Sequence, residues 1–296
     1  MAERLRVEVA GRQLEISNLD KVLYPRAGFT KAEVLDYYTR IAPTLLPHLA
    51  GRPLTRTRYP DGVDGISFFE KNAPAGTPDW VRTARLPVPG SSKNREKIDF
   101  IVVEELATVV WLANLAALEL HTPQWRVDDR GRPLDPDQLV VDLDPGPPAG
   151  LPQCFEVALL MRDRLAGDGL ECGPKTSGKK GMQLVVPLPG DESAEAVSDY
   201  AKGVAEELAG RHPKLIVAKM AKQLRPGKVF IDWSQNNAFK TTIAPYSLRA
   251  GETPTVSAPL TWDEVEAGEL TAADLTPSAV LDRVASLGDL LRGGRG

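Results

Sequence analysis

The spacing of hydrophobic residues predicts four helices along the chain. In segments 30–49, 154–170 and 192–213 the apolar positions recur every three or four residues, which is the spacing of a helix with one buried face. Thr30 opens the first of these segments and is a residue type that caps helix N-termini. Segment 100–120 is apolar over most of its length and is predicted to form a longer, more deeply buried helix, with a short strand at its start.

Short apolar runs between these helices predict β-strands. The runs are "LVVDLD" at 139–144, "MQLVVPL" at 182–188 and "KVFIDWS" at 228–234. Strands that alternate with helices along a chain are typical of an α/β or mixed α+β core. No internal repeat is visible.

The remaining segments carry weaker patterns. Residues 77–100 are polar and rich in turn-forming residues, which predicts a mobile surface loop. After residue 251 the chain turns acidic and helical, and it ends in "RGGRG" at 292–296, which predicts a frayed tail. Since no Pro- or Ser-rich linker divides the chain, we predict a single domain over residues 1–296.

The composition narrows the class of protein. Of 296 residues, 42% are hydrophobic and 26% are charged, as in ordinary globular proteins with a sizeable core. No apolar run approaches the roughly 20 residues that span a membrane, and the charged, alternating N-terminal segment is unlike a secretory signal. Cys154 and Cys172 are the only cysteines and lack metal-ligand spacing. We therefore expect a cytoplasmic protein without membrane association.

The distribution of charge points to local rather than general nucleic-acid binding. The formal net charge is −4, so any contact with nucleic acid must come from a basic patch. No acidic residue lies between Glu207 and Asp232, a segment that carries Arg211, Lys214, Lys219, Lys222, Arg225 and Lys228. This run has two interpretations, a solvated basic face of a helix or a functional basic patch.

Two aspartates end the first predicted strand. Asp142 and Asp144 are separated by one leucine in "LVVDLDPG", and alternate residues of a strand point to the same face. Two like charges side by side are stabilised by a proton or a cation between them, and carboxylate oxygens suit magnesium or manganese. The alternative is that both are solvated turn residues, which are common before Pro-Gly.

A third aspartate repeats the pattern. Asp232 ends the apolar run of "KVFIDWSQNN". If this strand lies beside the first one, three carboxylates come together and can hold two divalent ions about 4 Å apart, the arrangement used for phosphoryl transfer. Nucleases and kinases use acidic clusters too, so this pattern alone leaves the reaction open.

The segment "KTSGKKGMQLVVPL" at 175–188 adds a candidate phosphate-binding loop. Ser177, Gly178 and Gly181 can bring backbone N–H groups close to an anion, and two lysines supply positive charge. The spacing of a Walker loop is absent. The alternative is an ordinary glycine-containing turn before a strand.

Six strings in this order resemble the polymerase domain of bacterial DNA ligase D, which belongs to the archaeo-eukaryotic primase superfamily. The resemblance runs from about residue 16 to about residue 291 and implies a primase-like catalytic core, with a central, mostly antiparallel sheet flanked by helices. It also implies a stand-alone member that works with a separate ligase. The strings are "NLDKVLYP", "LHTPQWR", "DLDPG", "TSGKKGM", "KVFIDWSQNN" and "KTTIAPYSLRA".

The resemblance implies roles for residues of the active centre. Asp142, Asp144 and Asp232 match the family's catalytic metal ligands, for two Mn²⁺ or Mg²⁺ ions. His121 matches a histidine that contacts the nucleotide or the primer end. The positions that match residues around the incoming nucleotide are Ser177, Gly178, Lys180, Gln183, Arg225, Gln235 and Arg249.

It also implies two DNA contacts. Asn18, Lys21 and Lys31 match a pocket for the 5′-phosphate of a DNA end, and lysine is an expected partner for a phosphate. Phe68 and Phe69 match an aromatic pair that stacks on the template at the break. Two adjacent aromatics cannot both face one core from a regular strand, so we expect one of them to be exposed for base stacking. A bulged pair in the core is the alternative.

One position departs from the family pattern SGxxGxH. Gln183 stands where the family has a histidine positioned to touch the triphosphate. Glutamine donates a hydrogen bond but carries no positive charge. The resemblance therefore leaves nucleotide affinity and metal preference open at this position.

The function implied by the resemblance is template-directed nucleotidyl transfer. The family adds nucleotides, preferentially ribonucleotides, at gaps and double-strand break ends in non-homologous end joining. The implied partners are gapped or broken DNA with a 5′-phosphate, nucleoside triphosphates, the Ku end-binding protein and a separate ATP-dependent DNA ligase, in a nucleoid-associated location.

Two other classes of protein stay open. A DNA end-binding or bridging module with weakened polymerase activity would keep Lys21, Lys31 and the aromatic pair, although it has no need for clustered aspartates. A metal-dependent nuclease has no need for a triphosphate loop, so "TSGKKG" argues against it.

Overall fold

The computed structural model describes residues 4–88 and 96–292. Three of the predicted helices are confirmed nearly at their predicted bounds, namely those at 30–49, 154–170 and 192–213. The helices are α1 (Lys31–Leu49), α2 (Leu106–Asn114), α3 (Leu151–Ala166), α4 (Ala194–Arg211), α5 (Trp262–Ala267) and α6 (Pro277–Leu287). The strands are β1 (Arg4–Val9), β2 (Arg12–Ser17), β3 (Val22–Tyr24), β4 (Phe29–Thr30), β5 (Pro53–Arg58), β6 (Phe68–Glu70), β7 (Thr83–Pro87), β8 (Lys97–Val102), β9 (Ala117–Thr122), β10 (Trp125–Val127), β11 (Pro133–Pro136), β12 (Gln138–Pro145), β13 (Gly173–Thr176), β14 (Met182–Pro187), β15 (Ile216–Val217), β16 (Val229–Asp232), β17 (Thr242–Ile243), β18 (Leu248–Arg249) and β19 (Thr255–Val256).

Two larger sheets form the framework. Sheet I has the order β13-β14-β12-β16-β15, and all its pairs are antiparallel except β15 with β16. Sheet II has the order β17-β9-β5-β8-β7, with β6 also paired to β5, and is antiparallel throughout. Helices pack on both, which confirms the predicted mixed α+β class with mostly antiparallel sheets.

The register of sheet I brings the sequence motifs together. In the antiparallel pairing of β12 with β16, Asp142 lies opposite Asp232. On the other side of β12, Asp142 lies opposite Gln183 of β14. The condition for the three aspartates to come together, that the strand ending in Asp232 lies beside the strand of Asp142 and Asp144, is therefore met.

Helix α1 begins where its sequence predicts and connects the two halves of the fold. Thr30 and Glu33 form a reciprocal capping box, which satisfies free N–H groups of the first turn. The buried face of the helix carries two tyrosines whose hydroxyls donate to backbone carbonyls, Tyr37 to that of Tyr246 and Tyr38 to that of Leu118. These bonds fix α1 against sheet II and against the segment before β18.

The prediction of one long helix over residues 100–120 is wrong. The segment contains the end of β8, the short helix α2 and the start of β9. All three elements are buried, so the apolar pattern is nearly continuous and its periodicity does not separate helix from strand. Ala116 adopts a left-handed backbone with φ of 57° and marks the turn from α2 into β9.

The prediction of a loop over residues 77–100 is also wrong in part. Strands β7 and β8 pair antiparallel within it and form the edge of sheet II. Leu86, Ile98 and Phe100 are buried on alternate positions of these strands, a period-2 pattern that the surrounding polar residues obscure. Residues 89–95 of this segment, and residues 293–296 of the predicted frayed tail, lie outside the described residues.

Within the described ranges, no helix has the length and apolar character needed to cross a lipid bilayer.

Candidate active site

Three carboxylates meet at the centre of sheet I. Asp142 and Asp144 project from the same face of β12, and Asp232 from the neighbouring end of β16. One oxygen of each carboxylate lies within 4.8 Å of those of the other two. This is the one group of metal-ligating side chains of its kind found among the described residues.

The closeness of these carboxylates changes their acidity. Burial, and then the charge of Asp144, raise the pKa of Asp142. Burial and the charge of Asp232 raise the pKa of Asp144, while the guanidinium of Arg225 acts in the opposite direction. Such a cluster is stabilised by a bound proton or cation. Because every donor is a carboxylate oxygen, the cluster fits hard divalent ions.

Neighbouring side chains hold two of the carboxylates in place. The Gln183 amide donates to Asp142 Oδ1 over 2.8 Å. Asp232 accepts hydrogen bonds at both oxygens, from the Ser234 hydroxyl over 2.6 Å and from the Gln235 amide over 2.8 Å. The short 3₁₀ helix after β16 supplies both donors. Ser234 was missed by the sequence analysis, although its place two residues after a strand-end aspartate is typical of a local Asp turn.

Gln183 therefore lies beside a carboxylate of the cluster. It is 4% exposed, and its Oε1 has no hydrogen-bond partner in the described part of the chain. A residue that donates to Asp142 in this way influences how the carboxylate is oriented, whatever it contributes to a bound nucleotide.

The candidate phosphate-binding loop packs directly on β12. Gly181 approaches so closely that a Cβ at this position would lie 2.2 Å from the carbonyl oxygen of Leu143. Gly178 has a left-handed φ of 72°, and a Cβ there would lie 2.5 Å from Cγ of Arg249. The Ser177 hydroxyl accepts from the N–H groups of Lys179 and Gly181, which closes the loop. Glycines at these positions thus bring the loop against the acidic cluster.

The two lysines of this loop differ in their contacts. Lys179 Nζ lies 3.2 Å from Glu119. Lys180 is exposed and forms no ion pair among the described residues. An exposed positive charge on this loop suits contact with a phosphate.

Lys175 is a buried cation that the sequence analysis did not assign to the site. It is 1% exposed, and Nζ donates to the Ser257 hydroxyl over 2.7 Å and to the Ile243 carbonyl over 3.1 Å. Burial lowers the pKa of Lys175 to about 7, against the opposite effect of Asp142. Since Lys175 lies opposite Gln183 in the register of sheet I, its position behind the acidic cluster follows from strand pairing.

Glu119 is a second residue that was missed. Glu119 lies on β9 and is 5% exposed. Three side-chain nitrogens lie near its carboxylate oxygens: His121 Nε2 at 3.3 Å, Lys179 Nζ at 3.2 Å and Arg249 Nε at 3.6 Å. Burial alone would raise the pKa of Glu119, but the hydrogen bond from His121 and the charges of Arg249 and Lys179 lower it to about 2. In "LELH" the polar residues Glu119 and His121 alternate with leucines. They lie on one face only if the segment is a strand, and the sequence predicted a helix there.

His121 is placed by this carboxylate. Burial lowers the pKa of His121, although Glu119 acts in the opposite direction. Because Glu119 is an obligate acceptor at neutral pH, the proton of a neutral imidazole lies on Nε2. Nδ1 is then left as an acceptor.

The two predicted arginines lie on different elements, and Arg225 acts on the charge of Asp144. Arg225 packs 3.7 Å over the Phe230 ring and donates to the Met220 carbonyl. Arg249 is on β18, with Glu119 as its carboxylate neighbour. Beyond Arg211, the last residue of α4, the basic run up to residue 228 passes through strand β15 and one short 3₁₀ helix, so its interpretation as a helix face is wrong.

The residues proposed for the 5′-phosphate come together at the start of α1. The Lys31 backbone N–H donates to the Lys21 carbonyl, and Asn18 adopts a left-handed turn with φ of 56° just before them. Lys21 Nζ lies 2.7 Å from Asp61, on the surface. Lys31 is 4% exposed and its Nζ donates to the Ser17 carbonyl. Burial, and then the charge of Lys21, lower the pKa of Lys31 to about 8.

The aromatic pair lies on β6, at the edge of sheet II. Phe68 is 45% exposed and Phe69 is 60% exposed, so both rings, rather than one, reach the surface. The Phe69 ring centroid lies 5.9 Å from that of His121, in an edge-on arrangement. The alternative of a bulged core pair is therefore wrong.

Comparison with known proteins places this site in a family. Residues 30–291 match the family described as the LigD primase-polymerase domain. The chain is 45% identical over 279 residues to the multifunctional non-homologous end joining protein LigD of Mycolicibacterium smegmatis, covering 94% of this chain. It is 34% identical over 277 residues to the bifunctional LigD of Bacillus subtilis, covering 93% of this chain.

A solved structure agrees with this assignment. The polymerase domain from Mycobacterium tuberculosis ligase D, in complex with DNA, superposes with a TM-score of 0.89 at 43% sequence identity, covering 94% of this chain and 96% of that one. The chain spans 36% of the length of the M. smegmatis relative and 43% of the B. subtilis relative. The chain therefore belongs to the LigD primase-polymerase domain family, a family of nucleotidyltransferases, as its sequence motifs predicted.

Proposed function

We propose that this chain extends the 3′ end of a primer strand at DNA gaps and broken ends, with one nucleotide chosen by the template at each step. The observation that carries the proposal is the position of the "TSGKKG" loop, packed on the strand of the acidic cluster. A triphosphate held by the loop would have its reacting phosphorus close to the carboxylates. In the reaction, the primer 3′-oxygen bonds to the α-phosphorus and pyrophosphate leaves.

Asp142, Asp144 and Asp232 are proposed to hold two divalent ions, Mg²⁺ or Mn²⁺. When bound there, such ions lower the pKa of an attacking hydroxyl and neutralise charge on the leaving phosphate. Gln183, Ser234 and Gln235 would hold two of the ligands in position through the hydrogen bonds already described.

The other side chains of the site are proposed to bind and orient the nucleotide. Ser177 and Gly178 would contact the phosphates through the loop, and Lys180, Arg225 and Arg249 would supply positive charge. His121, held by Glu119, presents Nδ1 as an acceptor for a hydroxyl of the nucleotide or of the primer end. A 2′-hydroxyl at this position would explain a preference for ribonucleotides.

The DNA end is proposed to bind through Asn18, Lys21 and Lys31 at its 5′-phosphate, and through Phe68 and Phe69 at the template. Support comes from the closeness of both lysines at the start of α1 and from the exposure of both rings. The M. tuberculosis domain of the same fold was solved in complex with DNA. We further propose that residues 1–296 act as one domain with its core at about residues 16–291, at the nucleoid, together with Ku and an ATP-dependent DNA ligase.

A gapped duplex with a 5′-phosphate, Mn²⁺ and labelled ribonucleotides tests the proposal. We expect template-dependent extension by the wild type and its loss in Asp232→Ala, while DNA affinity changes less than about twofold because phosphate contacts supply most of it. Asp163→Ala, an exposed aspartate on α3, is the matched control. Binding without extension would identify an end-binding module, shortening of the labelled strand would identify a nuclease, and normal extension by Asp232→Ala would contradict the two-ion site.

A further inference from the structure

A cleft of about 1200 Å³ opens on one face of sheet II, outside the acidic cluster. Strands β7 and β8 form its apolar floor. Its rims are β6, β11 and residues 238–241, which come after the 3₁₀ helix that follows β16. The floor residues are Leu86, Ile98 and Phe100, and the rims carry Phe69, Leu134 and Phe239.

The cleft is continuous with the active site. In the register of sheet II, His121 lies opposite Thr55 and Phe69 lies opposite Thr57. Because alternate residues of β5 share a face, His121 and Phe69 project from the same face of the sheet. Pro53 shares that face and lies opposite Val102 of β8, which puts Phe100, two residues away, on it too. The floor of the cleft therefore extends the surface that carries His121.

The shape and rims of the cleft suit an extended ligand with flat rings. Its volume exceeds the range of about 300–1,000 Å³ that is usual for sites of single small molecules. Phe69 is 60% exposed and Phe239 is 59% exposed, so both rings present free surface on which a ligand could stack. Proteins that bind unpaired nucleotides without sequence preference combine base–aromatic stacking with cationic contacts to the phosphates.

The charges around the cleft favour a polyanion. Glu70 is paired with Arg56 and Arg58, and Asp137 is paired with Arg52 and Arg126. Among the described residues, Asp135 is then the one carboxylate of the lining without an ion pair. The ammonium groups of Lys71 and Lys240, which also line the cleft, have no ion pair either, so the unpaired charges are two positive and one negative. Lysines at the rims and apolar surface between them are what a sugar–phosphate chain with stacked bases requires.

We propose that this cleft binds the unpaired nucleotides of the template strand beyond the base being copied, with Phe239 as a stacking platform and Lys240 as a phosphate contact. The proposal rests on the proposed function. Unpaired template would leave Phe69 beside the active site and run over the floor of sheet II towards Phe239. A site of this kind makes the enzyme prefer ends with long single-stranded extensions over short gaps.

Affinity for DNA ends with different extensions tests this proposal without catalysis. The probes are duplexes with a recessed 5′-phosphate and a 3′ extension of one or about six unpaired nucleotides, measured by fluorescence anisotropy without metal or nucleotide. We expect the wild type to bind the longer extension at least about fivefold more tightly, the lower limit for one stacked base. Phe239→Ala should lose most of this gain, and Lys240→Ala should reduce it.

Two controls separate this effect from misfolding and from the active site. Leu287→Ala removes another half-exposed apolar side chain, on α6, and should keep the full preference. An extension labelled with 2-aminopurine should lose fluorescence on binding to the wild type, because stacking quenches it, and should stay bright with Phe239→Ala. Circular dichroism should show the same unfolding temperature for Phe239→Ala and wild type, since the ring is exposed.

The outcomes are distinct from those of the proposed function. Equal wild-type affinity for the short and the long extension would overturn the cleft proposal, even if the enzyme extends gapped primers normally, and would leave the cleft to another occupant such as a protein segment. An unaltered preference in Phe239→Ala would overturn it as well. A length preference that depends on Phe239, in a protein that adds no nucleotides, would support the cleft while the polymerase proposal fails.

Discussion

At the scale of single residues, Gln183 is the most informative departure from the family pattern. Its amide donates to Asp142 Oδ1 over 2.8 Å, from a position that is almost completely buried. A hydrogen bond to a charged group contributes about 1.5–3 kcal/mol, so its loss corresponds to roughly tenfold or more in an equilibrium constant.

We therefore expect Gln183→Leu to raise the Mn²⁺ concentration for half-maximal extension by about tenfold, because the carboxylate loses its positioning donor. Gln183→His restores a donor and should return the metal requirement close to that of the wild type. Titrations of Mn²⁺ at saturating nucleotide measure this, with DNA affinity as the control that should not change. An unaltered metal requirement in Gln183→Leu would mean that this hydrogen bond does not position Asp142.

Lys31 gives a pH dependence whose sign can be worked out. Burial lowers its pKa to about 8, so the side chain is charged below that pH and becomes neutral as the pH rises through it. A 5′-phosphate is fully ionised over the same range. We expect the preference for 5′-phosphorylated over unphosphorylated gapped DNA to fall roughly tenfold between about pH 7 and pH 9, the loss of one charge-assisted hydrogen bond.

The free energy of unfolding should change with pH in the opposite direction, rising where the preference for the 5′-phosphate falls. Because the folded pKa of Lys31 is below its unfolded value, the unfolded chain binds more protons between about pH 8 and pH 10.5, and this residue makes the free energy of unfolding rise across that window. Lys31→Met should remove both effects and discriminate weakly at every pH. A wild-type preference that stays constant from pH 7 to pH 9 would contradict the role of Lys31 in the pocket.

At the scale of elements, the sequence predicted correctly those elements whose hydrophobic residues recur with one clear spacing. Helix α1 has an exposed face, a capping Thr30 and an apolar stripe, and its bounds followed from the sequence. The segment around α2 has no exposed face, so strand and helix look alike in it, and β9 was assigned to the wrong element. That error hid Glu119, because its relation to His121 depends on the alternation of a strand.

The loop that precedes β14 gives a test at this scale. A Cβ at position 181 would lie 2.2 Å from the Leu143 carbonyl oxygen, on the strand that carries Asp142. We expect Gly181→Ala to destabilise the protein by about 1–3 kcal/mol, as overpacking usually does, and to weaken nucleotide binding because the loop must shift. Thermal unfolding and the nucleotide Michaelis constant measure the two effects.

Gly203→Ala is the matched control for this substitution. Gly203 lies in the interior of α4 with open space around the missing Cβ. Alanine there should raise stability by up to about 1 kcal/mol through helix propensity and leave the Michaelis constant unchanged. If Gly181→Ala behaved like Gly203→Ala, close packing of the loop on β12 would not matter for nucleotide binding.

At the scale of the whole molecule, the sequence predicted the motifs that meet on sheet I but not how the two halves of the candidate site come together. Strand-end aspartates and a glycine-containing loop predicted the part on sheet I, because these elements pair directly. Sheet II carries His121 and the aromatic pair, and its position against sheet I depends on tertiary contacts such as the bonds of Lys175 to Ile243 and Ser257. Contacts between side chains of distant segments leave no local pattern in one sequence.

The overall charge gives the last prediction. A chain with a net charge of −4 has to bind DNA through a few local cations, so its affinity should depend on salt less steeply than that of a basic protein. Each phosphate contact contributes a slope of about −0.9 to the plot of log K against log salt concentration. We expect Lys21→Ala and Lys240→Ala each to make this slope about one unit less steep, whereas Arg162→Ala, whose guanidinium pairs with Glu266 on α5, should not change it. A slope that is the same in all four proteins would show that DNA binds at neither lysine, and would move the interface to the basic run before β16.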